Sequence, residues 1–154
     1  MPSKVLCESM VDLSFFFNPS SIAVIGASDT VGSVGYEIMK NLTEDFPGEL
    51  YPINIKQKLI FGKPSYKSIL DVPNKIEMAV IAIAAPFVSD VLEECGKKGV
   101  KGVIIVSGGF SEIGEKEREN KLLEISKKYG IRIIGPNCIG IYDNFSGVNT
   151  IFLS

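Results

Sequence analysis

A chain of 154 residues, 45% of them hydrophobic, is long enough to bury one ordinary core without disulfides or metals. Its formal charge is −2 with lysines and acids interspersed, which excludes the long basic tract of a general nucleic-acid binder; with no histidine, the chain supplies no histidine base, metal ligand or phosphohistidine. Cys7, Cys95 and Cys138 are far apart and lack CxxC spacing, which predicts a reduced cytoplasmic protein with neither a disulfide framework nor a zinc site. The apolar runs have the length of strands, so no membrane span is predicted, and the N-terminus lacks the apolar stretch of a secretory signal. Met10 opens a second plausible start, and residues 1–12 are read as a tail before a single domain over 13–154.

In chain order, strand-like and helix-like segments alternate. The apolar run Ile22 to Ile25 ends at Gly26 and suits a strand buried on both faces, and a helix is predicted from about Ser33 to Thr43. Glu49 to Ile55 reads as a second strand, in which Pro52 favours a bend or an end. Lys58 to Lys67 contains a short extended piece and a turn at Gly62-Lys63-Pro64, and the following stretch through Leu70 predicts one helical turn. Met78 to Ala84 is the plainest buried strand. After it, Pro86 stands where a helix running to about Lys98 begins, a position that needs no N–H. Val103 to Val106 is a fourth strand, ended by Ser107-Gly108-Gly109. Glu115 to Tyr129 carries Leu122, Ile125 and Tyr129 on one helical face, with Glu117/Lys121 and Glu124/Lys128 at i,i+4 spacing and Gly130 as its stop. Arg132 to Ile134 is a fifth strand leading into Gly135-Pro136-Asn137-Cys138, and Tyr142 to Ser154 shows no clear helix. This alternation predicts an α/β fold: a Rossmann-like open, mainly parallel sheet with helices on both faces and its ligand beyond the carboxyl ends of the strands.

Those strand ends carry the candidate chemistry. Gly26, Gly32 and Gly35 permit tight turning, and free amides at the following helix start can meet phosphate oxygens. The spacing departs from GxGxxG, because Ser28 stands where the second glycine would let the backbone approach a pyrophosphate. The second strand ends in Asn54-Ile55-Lys56, where an NAD site wants an acid for the ribose hydroxyls. Lys56 instead attracts a phosphorylated ribose, which means coenzyme A or NADP; Lys58, two residues on, could substitute for it. Asp29 and Glu112 could each be a cap, a turn residue or a base, and Cys138 is either a small buried cysteine or a neighbour of a bound thiol. No GxxxxGK occurs, so the chain is not a P-loop ATPase.

"SIAVIGAS", "GYEIMKNL", "YPINIK", "VLEECGKKGVKGVIIVSGGFSEIG" and "YGIRIIGPNCIGIY", in this order, closely resemble the coenzyme A-binding domain of nucleoside-diphosphate-forming acyl-CoA synthetases, from about Phe15 to Phe152. These are the ADP-forming acetyl-CoA synthetases, related to the alpha subunit of succinyl-CoA synthetase. The resemblance implies a Rossmann-like fold and a whole enzyme that interconverts acyl-CoA, ADP and phosphate with acid, CoA and ATP through an acyl phosphate and a phosphorylated histidine. It implies that Gly26, Ala27, Ser28 and Gly32 meet the CoA phosphates and that Lys56 contacts the nucleotide end. It further implies that Ala84, Ala85, Pro86 and Phe87, with Ser107, Gly108 and Gly109, line the pantetheine path, and that Asn137 and Cys138 lie towards the thiol. Ile55 replaces the family's proline before the lysine, and Ala84 stands where a proline is usual. The histidine domain and the nucleotide-grasp domains, or a nucleotide-binding beta subunit, are the implied partners. The final "NTIFLS" resembles the strand leaving the first domain, so the chain reads as an excised domain that binds CoA without turnover. An NADP-dependent oxidoreductase fragment and a stand-alone CoA-binding regulator are the alternatives. No nucleic acid, membrane or metal is implied.

Overall fold

Strands buried on both faces need helices above and below them, and the chain supplies these in alternation. The computed structural model describes residues 11–153, so most of the expected tail, with Cys7 and Met10, lies outside the described residues. The elements are α1 (Ser14–Phe17), β1 (Ser21–Ile25), α2 (Val34–Asp45), β2 (Glu49–Ile53), the small antiparallel pair β3 (Leu59–Ile60) and β4 (Lys63–Pro64), β5 (Met78–Ile81), α3 (Ala85–Lys98), β6 (Gly102–Ile105), α4 (Lys116–Tyr129), β7 (Arg132–Ile134) and the hairpin β8 (Tyr142–Asp143) and β9 (Val148–Asn149). Single 3₁₀ turns lie at Ile69–Asp71 and Ser111–Ile113. The central sheet has the order β2-β1-β5-β6-β7 and is parallel throughout. The chain leaves β1 in one direction and, after β2, crosses back over it, so the order reverses between β1 and β5 and a crevice opens there. The expected Rossmann-like α/β architecture is the observed one.

Alternation along the strands divides the core. Ile22, Val24, Met78, Val80 and Ile104 pack with Phe15, Phe16, Ile38, Met39 and Leu42 on one side. Ala23, Ile25, Ala79, Ile81 and Val103 pack with Val88, Leu92, Leu122 and Ile125 on the other. Helices α3 and α4 thus share one face, and α2 with α1 covers the opposite one. Cys95 of α3 is fully buried, and burial pushes its thiol pKa up.

Several boundaries differ from the sequence reading, each for a local reason. The Met78 run leaves the sheet at Ile81 rather than Ala84, because its last residues turn towards α3. β2 ends at Ile53, not Ile55, because the Asn54 side chain starts a turn by accepting from the amides of Lys56 (2.7 Å) and Gln57 (3.0 Å). Pro52 lies inside β2 and neither bends nor ends it. The strand is at the sheet edge, and the Pro52 carbonyl faces outward to accept from the Tyr66 amide at 3.1 Å. The helical turn after Tyr66 is a 3₁₀ turn capped by Ser68. The i,i+4 pairs on α4 form no ion pairs among the described residues; Lys128 instead pairs with Glu93 of α3, which also accepts from the Tyr129 hydroxyl at 2.6 Å. The tail region contains the β8–β9 hairpin, and residues 150–153 form no strand.

Two glycines near the switch point are required by contact. A Cβ at Gly26 would stand 2.2 Å from the Ala82 carbonyl oxygen, and one at Gly35 would stand 1.8 Å from the Gly26 carbonyl oxygen. Gly35→Ala should therefore lower unfolding free energy by about 1–3 kcal/mol, the ordinary range for overpacking. Gly32, where a Cβ meets nothing within 4 Å, should lose about 1 kcal/mol as alanine, from its φ of +82° alone. Urea melts of the two variants check the ranking.

Candidate functional site

The turn after β1 is built from backbone. Gly26 has φ +91° and donates its amide to the Ile53 carbonyl at 3.0 Å, which ties the turn to the end of β2. The Asn54 side chain completes the tie by donating from Nδ2 to the Ala27 carbonyl at 2.8 Å. Ser33 caps α2: its Oγ accepts from the Tyr36 amide at 3.2 Å. The Ser28 hydroxyl accepts from the Thr30 amide at 2.9 Å, and Asp29 accepts from the Phe61 amide at 2.9 Å, so both side chains hold the loop. The amides of Ala27 and Ser28 have no protein acceptor among the described residues, and the first amides of α2 stand nearby. That combination suits phosphate oxygens. Gly32 lies further out in the loop, exposed.

Beside this turn, at the switch point, opens a crevice of about 500 Å³. Its walls come from the ends of β1, β2 and β5, from α3, and from the crossover after β4. Gly26, Ala84 and Phe87 of the predicted set line it; Phe87 and Val91 supply apolar wall, and Lys67, Ser68 and Glu94 supply most of its polar groups. Lys56 is exposed on the next loop and is not part of the lining.

The remaining predicted residues gather at the ends of β6 and β7 and in the first turn of α3. Ser107 Oγ accepts from the Ile83 amide at 3.2 Å, which joins the end of β5 to that of β6. The Asn137 amide donates to the Ser107 carbonyl at 2.9 Å, and Asn137 itself has φ +54°. Buried Ala85 faces Gly109, where a Cβ would stand 2.9 Å from the Ala85 Cβ; Pro86 is exposed in the first turn of α3. A Cβ on Gly108 would come within 3.1 Å of Asn137 Oδ1 and 3.2 Å of Glu112 Oε1, so those side chains would have to give by a few tenths of an ångström. Cys138 is half-buried and its thiol donates to the Ile105 carbonyl at 3.4 Å, back towards the sheet. Glu112 lies in the 3₁₀ turn Ser111–Ile113, and its carboxylate accepts from the Gly109 amide and, at 3.1 Å, from the Phe110 amide. The bond from Gly109 holds its pKa below the ordinary 4.5.

No group of three or more acidic, cysteine or histidine side chains among the described residues could hold a metal, and no described helix is long and apolar enough to cross a membrane. Residues 20–144 match the family model described as a CoA binding domain. The chain belongs to the CoA-binding domain family. Over 92% of its length the domain is 55% identical to the ADP-forming acetate–CoA ligase of Methanocaldococcus jannaschii, of which it spans 20%. It is 46% identical, also over 92%, to the alpha subunit of an ADP-forming acetate–CoA ligase of Pyrococcus furiosus, of which it spans 32%. The solved structure of the Candidatus Korarchaeum cryptofilum dinucleotide forming acetyl-coenzyme A synthetase 1, in complex with phosphate and ADP, superposes with a TM-score of 0.89 at 39% identity, covering 92% of the domain and 31% of that chain. The domain thus spans between a fifth and a third of these relatives.

Sequence reasoning missed the crevice wall formed by Lys67, Ser68 and Glu94, because Ser68 and Glu94 are 26 residues apart and follow no motif. The signal for Asn54 was present: an Asx residue just after a strand starts turns by its own side chain.

Since Glu112 gains its bonds only in the folded state, its depressed pKa contributes stability that is complete above the unfolded value. That contribution is lost as pH falls through the lower folded value. Glu112→Gln should reduce the stability drop between about pH 5 and pH 3 relative to the parent chain, measured by thermal melts across that range.

Proposed function

We propose that this chain is the coenzyme A-binding domain of an ADP-forming acyl-CoA synthetase of the acetate–CoA ligase type. The observation that carries the reading is the pair of unengaged amides at Ala27 and Ser28, set before a capped helix and beside an apolar crevice. The backbone geometry fits a diphosphate, since the sterically required Gly26 and Gly35 leave the turn free of side chains where phosphate would lie. In this reading Gly26, Ala27, Ser28 and Gly32 hold the diphosphate and Lys56 the 3′-phosphate, with Lys67 a second cation in the wall. The purine enters the crevice, and the pantetheine runs past Ala84, Ala85 and Pro86 to Ser107, Gly108 and Gly109, with its thiol end towards Asn137 and Cys138. CoA is a substrate of the whole enzyme. Its acyl-transfer and nucleotide chemistry belongs to further domains or a nucleotide-binding beta subunit, because this chain has no histidine to phosphorylate; in this reading the enzyme works in the cytoplasm. Residues 13–154 are the domain and 1–12 its tail, and alone it binds without turnover.

Calorimetric titration with CoA, dephospho-CoA and NADP at one salt concentration tests this. The expected result is binding of CoA, weaker binding of dephospho-CoA and silence with NADP; binding of NADP with silence towards CoA would replace the reading with an oxidoreductase. Lys56 is exposed, so its contact is an exposed ion pair of up to about 1 kcal/mol, and Lys56→Ala should weaken CoA by no more than about fivefold while leaving dephospho-CoA unchanged. Ser28→Glu places a carboxylate beside the phosphates and should abolish measurable binding, with the far-ultraviolet circular dichroism unaltered.

A further inference from the structure

The crevice is apolar except at a few points, and most of its polar wall groups are already engaged. Asn54 has its amide on the Ala27 carbonyl and its carbonyl oxygen on two loop amides. Ser68 Oγ accepts from the Leu70 amide at 3.1 Å and gives its one proton to Glu94 Oε2 at 2.6 Å. Glu94 Oε1 has no hydrogen-bond partner among the described residues, and Glu94 lines the crevice. The wall there presents a carboxylate, an acceptor-only group, steadied by a hydroxyl whose donor direction is fixed by the bond it receives.

Resting on the coenzyme reading, we propose that Glu94, oriented by Ser68, reads the base in this crevice and selects a 6-aminopurine over a 6-oxopurine. Ile55, Ile83, Phe87 and Val91 form the apolar walls against which the ring lies. An exocyclic amine at position 6 donates to Glu94 Oε1, whereas a carbonyl at that position sets two acceptors against each other, and the ring must shift in the crevice before its N1–H can reach the carboxylate instead. Lys67, the other polar group of the wall, is a donor on a flexible stem and sets no such preference by itself. Ser68 is a positioning residue. Its proton needs an acceptor, so in Glu94→Gln it retains the amide carbonyl and turns the NH₂ into the crevice. That single change converts the reading group from acceptor to donor.

The test compares CoA with its analogue in which adenine is deaminated to hypoxanthine; phosphates and pantetheine are common to both, so the coenzyme reading governs the two equally. Calorimetry on the parent chain should favour CoA by about tenfold or more, as for a hydrogen bond to a charged group. Glu94→Gln should bring the ratio to about one or invert it, and Ser68→Ala should give an intermediate ratio. Equal affinity of the parent chain for both ligands overturns the base assignment and leaves the coenzyme reading standing. A preference unchanged in Glu94→Gln, with circular dichroism like the parent's, overturns Glu94 as the reader. Silence of the parent chain towards both ligands overturns the coenzyme reading and the base assignment with it.

Discussion

Three backbone segments meet at the switch point without side chains between them, and the candidate site depends on that meeting. The Gly26 carbonyl lies against Gly35 at the start of α2, and the Gly26 α-carbon lies against the Ala82 carbonyl beyond β5. Because neither place has room for a Cβ, α2 points its amino end at the turn, and the turn closes one side of the crevice. Asn54 then fixes the neighbouring loop by bonds to three backbone groups. Loops positioned by a rigid sheet in this way are where binding groups are commonly found.

The two groups of residues at the strand ends are joined as well. The Ser107 hydroxyl receives the Ile83 amide, so the crevice side and the β6–β7 side share one hydrogen bond. At the far side, the Glu112 carboxylate takes the two amides of the Gly109-Phe110 step. An elongated ligand crossing from one group to the other would meet a surface already organised by the protein's own bonds, which lowers the cost of ordering on binding.

The fold was legible in the sequence wherever burial on both faces forced long apolar runs. Ile22 to Ile25, Val103 to Val106 and the Met78 run announced their strands, and Pro86 and Gly130 marked helix limits through fixed backbone preferences. Strand ends were less legible because Ala82 to Ala84 are as apolar as the strand before them, while the turn they make is set by α3. The i,i+4 spacing on α4 did not show where its charges pair, because the partner of Lys128 is Glu93, on a helix 35 residues away in sequence. The β8–β9 hairpin was missed because two-residue strands carry no periodicity. For the site, the glycines and Lys56 stood out as local chemistry. The pairing of Ser68 with Glu94 is created only when the crossover packs on α3, which no spacing rule reveals.

Pro52 has one more consequence. Edge strands of open sheets offer unpaired backbone groups to any other chain that can align with them. Here the outer side of β2 lacks one N–H at Pro52, and the Pro52 carbonyl is met by the Tyr66 amide from the crossover, while the opposite edge, β7, is only three residues long before Gly135 turns the chain away. Both borders of the sheet are therefore poor templates for strand addition. Self-association by sheet extension is disfavoured even though both faces of the strands are rich in isoleucine and valine.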